Sequence, residues 1–264
     1  MILGALLGAV VGIVMGLTGA GGGILAVPLL IFGLHLTVAE AGPIGLLAVG
    51  VSAGIGALIG LKAGIVRYRA ALLIASSGVL FAPLGVWLAQ RLDTRLLSML
   101  FAAVLAWVAY TTFKEIGRRS VESKSLSVNR PCIRDDMSGR FIWTNKCAGA
   151  LSIAGAIAGV LSGLLGVGGG FVIVPTLQRS TDLATQSIVA TSLAVIALVS
   201  LTGVAANMSA ENFNVSVALP FATGSLVGMG VGSVLTSHLS PKYLKVAFAL
   251  ICLAVATGMV AKSF

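Results

Sequence analysis

Charge is what this sequence lacks most. Only 9% of its 264 residues are Asp, Glu, Lys or Arg, against about 25% in a soluble domain. That deficit excludes a domain wetted on all sides. Histidine occurs twice, at His35 and His238, and cysteine three times, at Cys132, Cys147 and Cys252. So few ligating side chains make no H-E-x-x-H run or Cys/His cluster, so no metal site is expected. Three thiols form no even framework, and reduced structural cysteines are the expectation. No nucleotide-hydrolysing motif is present, which removes ATP hydrolysis as an energy source, and no cofactor is expected.

What the chain has instead is apolar length. It is 58% hydrophobic with a mean hydropathy of +1.07. A bilayer core of roughly 30 Å takes about 20 apolar residues at 1.5 Å each. The fold class is therefore all-α, a polytopic membrane protein. Long apolar segments cover about residues 2–18, 38–61, 70–90, 96–113, 148–165, 184–207, 215–237 and 243–261. Two shorter ones cover about 23–34 and 170–178. The first residues carry no basic stretch and no cleavage signal, so they are read as the first span.

The net charge of +9 is unevenly placed. Eight of the seventeen Lys and Arg lie between Lys114 and Lys146. This divides the chain into a first transmembrane unit (1–113), a basic hydrophilic connector (114–146) and a second transmembrane unit (147–264). A basic connector suits a cytoplasmic face touching anionic lipid. No recognition fold accompanies the charge, so nucleic acid is not an expected partner.

Residues 16–30 read GLTGAGGGILAVPLL and residues 163–177 read GLLGVGGGFVIVPTL. Nine of these fifteen positions are identical at a spacing of 147 residues, from Gly16 to Gly163. The chain thus holds two copies of one unit. If the two short segments cross the membrane there are ten passes, with fourteen basic residues on the connector side and three, Arg91, Arg95 and Lys262, opposite. With eight passes the split is twelve against five. The stronger asymmetry favours ten, and five passes per copy makes the copies inverted.

Glycines spaced by four, such as Gly4, Gly8, Gly12 and Gly16, read as helix-packing stripes. The clusters Gly19, Gly21, Gly22, Gly23 and Gly166, Gly168, Gly169, Gly170 differ, because adjacent glycines cannot all face one neighbouring helix. Each Gly weakens a helix by about 1 kcal/mol relative to Ala, so the helix is expected to break there. A backbone break at membrane depth is tolerated where it is buried in protein or lines a cavity. The short helix after each break turns its free N–H groups and positive dipole end toward the gap, which suits an anion. Pro28 and Pro175 are expected to terminate or kink those short helices.

The two glycine-rich copies, together with QSIVATSLAV at 186–195, resemble the sulfite exporter TauE/SafE family, also called TSUP transporters. The resemblance covers nearly the whole chain. It implies two similar multi-span halves and transport of sulfite, organosulfonates or related small organic anions. The first-half equivalent of ATSL reads IGLL at 44–47, so Thr191 and Ser192 have no counterpart and the expected site is asymmetric.

The substrate-binding expectation therefore rests on the two clusters with Thr191 and Ser192, Gln186 and Asn207 being weaker. Glu40 and Asp182 are candidates for proton coupling, with stabilisation of a helix N-terminus as the simpler role. Two functional classes follow. The first is a secondary transporter of a small anion, with that anion and the lipid bilayer as partners, placed in the bacterial cytoplasmic membrane. The second is an anion channel of the same architecture. An enzyme is not expected, and a homo-oligomer is compatible with the sequence.

Overall fold

The computed structural model describes residues 2–19, 22–119, 132, 144–181, 183–207, 215–235 and 241–263. Gly21, Asp182 and most of the connector lie outside the described residues. Ten helices follow in order: α1 (Ile2–Thr18), α2 (Gly23–Leu34), α3 (Val38–Lys62), α4 (Tyr68–Arg91), α5 (Thr94–Arg119), α6 (Asn145–Leu165), α7 (Gly170–Ser180), α8 (Thr185–Asn207), α9 (Val215–Leu235) and α10 (Pro241–Ser263). Six of them, α3 to α6, α8 and α9, are long and apolar enough to cross a membrane. The protein is a polytopic all-α membrane protein.

The expected breaks are present. The helix stops at Thr18 and restarts at Gly23, and stops again at Leu165 and restarts at Gly170. The prolines do not terminate the short helices, the first of the two effects expected of them. Pro28 and Pro175 sit inside α2 and α7, which continue to Leu34 and Ser180. Each costs one backbone hydrogen bond, about 3 kcal/mol in an exposed helix. In α2 the burial of eight residues, Pro28 among them, holds the helix together across it.

Packing follows the glycine stripes. α1 lies against α9, and a Cβ on Gly16 would stand 2.7 Å from the Met229 carbonyl oxygen. Gly8, Gly12 and Gly16 meet Phe221, Ser225 and Met229 in that order, so α1 and α9 run parallel. α6 lies on α4 in the same way: Gly155, Gly159 and Gly163 meet Ile74, Gly78 and Ala82. Every residue of this second set stands 147 positions from its equivalent in the first, α6 answering to α1 and α4 to α9. Between them cross α3 and α8, which are themselves equivalents and run antiparallel. Gly60 approaches Ala190, Gly56 approaches Leu193, Gly50 approaches Ser200 and Gly203 approaches Leu46.

The copies differ chemically where α3 meets α9. Ser52 and Ser225 share a buried hydrogen bond of 2.9 Å, and the Ser225 hydroxyl also reaches the Ala48 carbonyl at 3.2 Å. The equivalent residues are Val199 and Gly78, which meet without a polar atom.

The outer face is apolar, with Leu80, Leu84, Ile153, Leu201, Leu219 and Val234 among its exposed side chains. This is the surface that lipid requires. Cations stack on aromatics at the helix ends: Arg91 lies 4.1 Å from the Trp87 ring centroid, Lys114 5.9 Å from that of Tyr110 and Arg69 5.9 Å from that of Tyr68. Such amphipathic pairs belong at membrane–water boundaries.

The cysteines correct the sequence reading. Cys132 and Cys147 form a disulfide, and only Cys252 is free. Spacing alone could not reveal the pair, because it depends on the connector folding back. The Cys132 N–H donates to the Ser180 carbonyl at 3.1 Å, and Cys132 also bridges to Thr181. The connector is thereby tied to the start of α6 and the end of α7. Disulfides persist in oxidising compartments, whereas the basic connector suits the cytoplasm, so the pairing carries topological information.

Two predictions follow from the packing. Gly12→Ala forces a Cβ into the Ser225 backbone and should cost about 1–3 kcal/mol as an overpacking change, read as a lowered unfolding temperature in detergent. Gly149→Ala, inside α6 with no atom within 4 Å of its added Cβ, should hold or slightly raise that temperature, because Ala is the better helix former. For the thiols, peptide mapping of protein alkylated without reductant should recover the Cys132–Cys147 cross-link and alkylation at Cys252 alone. Alkylation at all three positions would refute the pairing.

Candidate functional site

The two breaks converge at the crossing of α3 and α8. A Cβ on Gly23 would stand 2.8 Å from the Val167 carbonyl oxygen and 3.2 Å from Cγ1 of Val49. A Cβ on Gly168 would stand 3.1 Å from that same Val49 atom. One side chain of α3 thus touches both breaks, and the first residue of α2 abuts the backbone of the second break. The outer ends of the breaks are also equivalent. Gly19 is backed onto Val189, and Gly166 onto Gly42, 147 positions from each other's partners.

The backbone explains why glycine is needed, and not uniformly. Gly166 closes α6 at φ 72° and Gly169 opens α7 at φ 68°, a left-handed geometry that strains any L side chain. Gly22 opens α2 at φ −60° in the ordinary helical region, so its need is spatial: an added Cβ would fall on the Met15 backbone. Positive φ is thus used at Gly19, Gly166, Gly168 and Gly169 but not at Gly22.

At both restarts the first N–H groups have no partner within their helix. In α2 the first inward bond recorded is from the Leu25 N–H to Gly22, and in α7 it is from Val172 to Gly169. The N–H groups of Gly23, Ile24, Gly170 and Phe171 precede those bonds. Gly23 and Gly170 are both buried. Both short helices thus begin beside the same α3 side chain, Val49, which meets the Gly23 and Gly168 positions alike.

The hydroxyl pair is placed otherwise. Thr191 is fully buried, and its Oγ1 accepts from the Arg67 backbone N–H at 3.1 Å, fastening the turn between α3 and α4 to α8. The Ser192 hydroxyl donates to the Val189 carbonyl at 2.8 Å. Both groups serve protein partners in this structure. Glu40 likewise forms a capping box: the Thr37 N–H and hydroxyl donate to its carboxylate at 2.9 and 2.8 Å, and the Glu40 N–H points back to Thr37 Oγ1. That is the helix-stabilising role.

A cavity of about 370 Å³ opens at the ends of α1, α3 and α9 and the start of α8. Its lining includes Gly19, Gly56, Gln186, Leu193, Met229 and Ser233. It carries no charged side chain, so a ligand there is recognised through backbone dipoles, Gln186 and Ser233. The pairing of α9 with α1 brings Met229 and Ser233 to it; nothing in the linear sequence reports that pairing except the glycine spacing. At the opposite end a second cavity, of about 390 Å³, is lined by His35, Thr37, Thr94, Arg95 and Ser98. Among the described residues no group of three or more His, Cys, Asp or Glu could hold a metal ion.

Thr191→Val should leave the buried Arg67 N–H unpaired, costing about 1–3 kcal/mol. Thermal unfolding of the purified variant is expected to drop accordingly, while anion affinity stays at the wild-type value. The reverse pattern would assign the hydroxyl to a ligand.

Comparison with known proteins agrees with this architecture. The family model described as "Sulfite exporter TauE/SafE" matches residues 4–259. A "Probable membrane transporter protein" of Xylella fastidiosa (strain Temecula1) is 30% identical over 253 residues, covering 94% of this chain and 90% of the relative. "Probable membrane transporter protein YunE" of Bacillus subtilis is 24% identical, covering 86% and 85%. A similarly named protein of Methanocaldococcus jannaschii is 26% identical, covering 87% and 84%. No solved structure matches. With ten helices in two equivalent sets and a family match over almost its full length, the chain is a membrane transporter that belongs to the sulfite exporter TauE/SafE family.

Proposed function

We propose that this protein is a secondary transporter of a small anion, sulfite, an organosulfonate or a related sulfur-containing or carboxylate anion. We place it in the bacterial cytoplasmic membrane with its two halves inverted. The anion reading is supported by two buried helix starts converging where no charged side chain is present. The inversion is supported by direction. Equivalent helices α3 and α8 are antiparallel, so the two-fold axis relating the halves runs perpendicular to them, in the membrane plane. Lys62, Arg67, Lys146 and Arg179 then share the connector side, while Arg91 and Arg95 face away.

One observation carries the transporter reading over the channel. Met15, Gly16, Gly19, Leu193 and Met229 line the open cavity. Their equivalents 147 positions away, Ser162, Gly163, Gly166, Leu46 and Ala82, line neither cavity described above, and Ser233, exposed at the cavity mouth, answers to the buried Val86. The halves match in sequence position, yet the cavity on the connector side has no counterpart built from the equivalent residues: the cavity at the other end is lined instead by α2, α3, α5 and α10. A carrier whose halves exchange these conformations exposes a central site to each side in turn. Coupling is to protons or membrane potential.

Counterflow of radiolabelled sulfite in proteoliposomes tests the function, with trans-acceleration expected for a carrier and absent for a channel. A cysteine test addresses the mechanism in a background without native cysteines. Ser233→Cys should react with a water-soluble maleimide in the resting protein. Val86→Cys, at the equivalent position and 4% exposed, should be inert at rest and gain reactivity during turnover. Equal reactivity of both at rest would contradict exchange between two states.

A further inference from the structure

Hydroxyls in these helices almost always have a visible partner. Ser192, Ser225, Ser233, Thr202 and Thr223 each donate to a carbonyl three or four positions back. This is the ordinary resting place of a Ser or Thr hydroxyl at membrane depth. Ser162 and Ser200 depart from it, both buried with no partner for the hydroxyl, and of the two it is Ser200 whose Oγ lies beside Gly168. An orphaned hydroxyl in a low-dielectric interior is costly and calls for a cause.

Its surroundings supply one. A Cβ on Gly168 would stand 3.2 Å from the Ser200 Oγ, beside Val49 and Ile196. A Cβ on Gly50, across on α3, would stand 2.9 Å from the Ser200 Cβ. The hydroxyl thus borders the second glycine break at Gly168. Val49, which touches the Gly168 position, touches the Gly23 position too, so the start of α2 belongs to the same cluster. Ser200 lies seven residues along α8 from Leu193 of the open cavity, about 10 Å deeper at 1.5 Å per residue. Its first-half equivalent is Ala53, so the hydroxyl is single, and a ligand sees it from the α8 side only.

We propose that Ser200 is a ligand-contacting residue of the central site, its hydroxyl donating to an oxygen of a small oxyanion held against the starts of α2 and α7. The inference rests on the anion-transporter reading and adds to it a named donor at the deep end of the pathway. The hydroxyl satisfies one anion oxygen while backbone N–H groups satisfy the others. This recognises a compact sulfur or carbon oxyanion by its oxygens and leaves any organic substituent to the apolar walls.

The test uses the full-length protein in detergent with sulfite, ethanesulfonate and acetate as probes. First, wild type is screened by thermal shift. Absence of any shift sinks the anion reading, and Ser200's role with it, before any variant is made. With a binding probe identified, Ser200→Ala and Ser200→Cys are compared with wild type in unfolding temperature without ligand and in affinity by titration calorimetry. Removing an orphaned hydroxyl relieves a penalty, so Ser200→Ala should unfold at the same or a higher temperature while its affinity falls about tenfold. Ser200→Cys, similar in shape but a weak donor, should fall between. Unchanged affinity in both variants overturns the proposal while leaving the transporter reading intact. A lower unfolding temperature with unchanged affinity would make Ser200 a packing residue and also overturn it.

Discussion

The contact on which this molecule depends is backbone against backbone: α1 on α9 and α6 on α4, through glycines that admit carbonyl oxygens where a side chain would stand. Lipid gives helices no hydrophobic reason to associate, so close approach and the dispersion it brings must do that work. Parallel helices joined this tightly form two rigid pairs, each binding a helix of the first half to one of the second. The crossing of α3 and α8, and the short helices α2 and α7, sit where the pairs come together. Any loosening of the stripes would disperse the central site before it disturbed a single residue in it.

That dependence also orders the glycines by role. Those of the stripes are filled from outside by a neighbour's backbone, and their loss is a packing loss. Those of the breaks do two different things at equivalent positions: Gly169 bends the chain through a left-handed turn, while Gly22 keeps helical torsions and yields space to Met15. A repeat inherited as one sequence has become two local solutions. The charge distribution shows a similar economy, since the described residues that meet the Gly23 and Gly168 positions, Val49, Val167, Ile196 and Ser200, are all uncharged.

Much of this was legible in the sequence. The helix boundaries follow the apolar segments closely, the short helix at Gly23–Leu34 starting and ending where the pattern places it, because in a membrane length and hydropathy dictate the element. The 147-residue repeat foretold equivalent helices, and the glycine clusters foretold the breaks. Three things were hidden. The Cys132–Cys147 bond depends on where a connector returns. Thr191 and Ser192 read as ligand groups, yet local bonding to Arg67 and Val189 claims both, and no spacing encodes that competition. Pro28 and Pro175 sit inside helices because burial in α2 and packing around α7 outweigh one missing hydrogen bond. Ser200 passes unnoticed in an apolar stretch, and only the absence of a backbone partner beside Gly168 singles it out.

The paired serines Ser52 and Ser225 have a consequence for energy levels. If the two halves exchange shapes, the exchanged states are not isoenergetic, because α3 meets α9 through a buried hydrogen bond while α8 meets α4 only through Val199 against Gly78. A net hydrogen bond of about 1 kcal/mol corresponds to a population ratio of about five. Near-identical repeats would leave an empty carrier facing both sides equally. In a carrier of the proposed kind, a single serine pair would set a resting orientation, and so a direction from which each transport cycle begins.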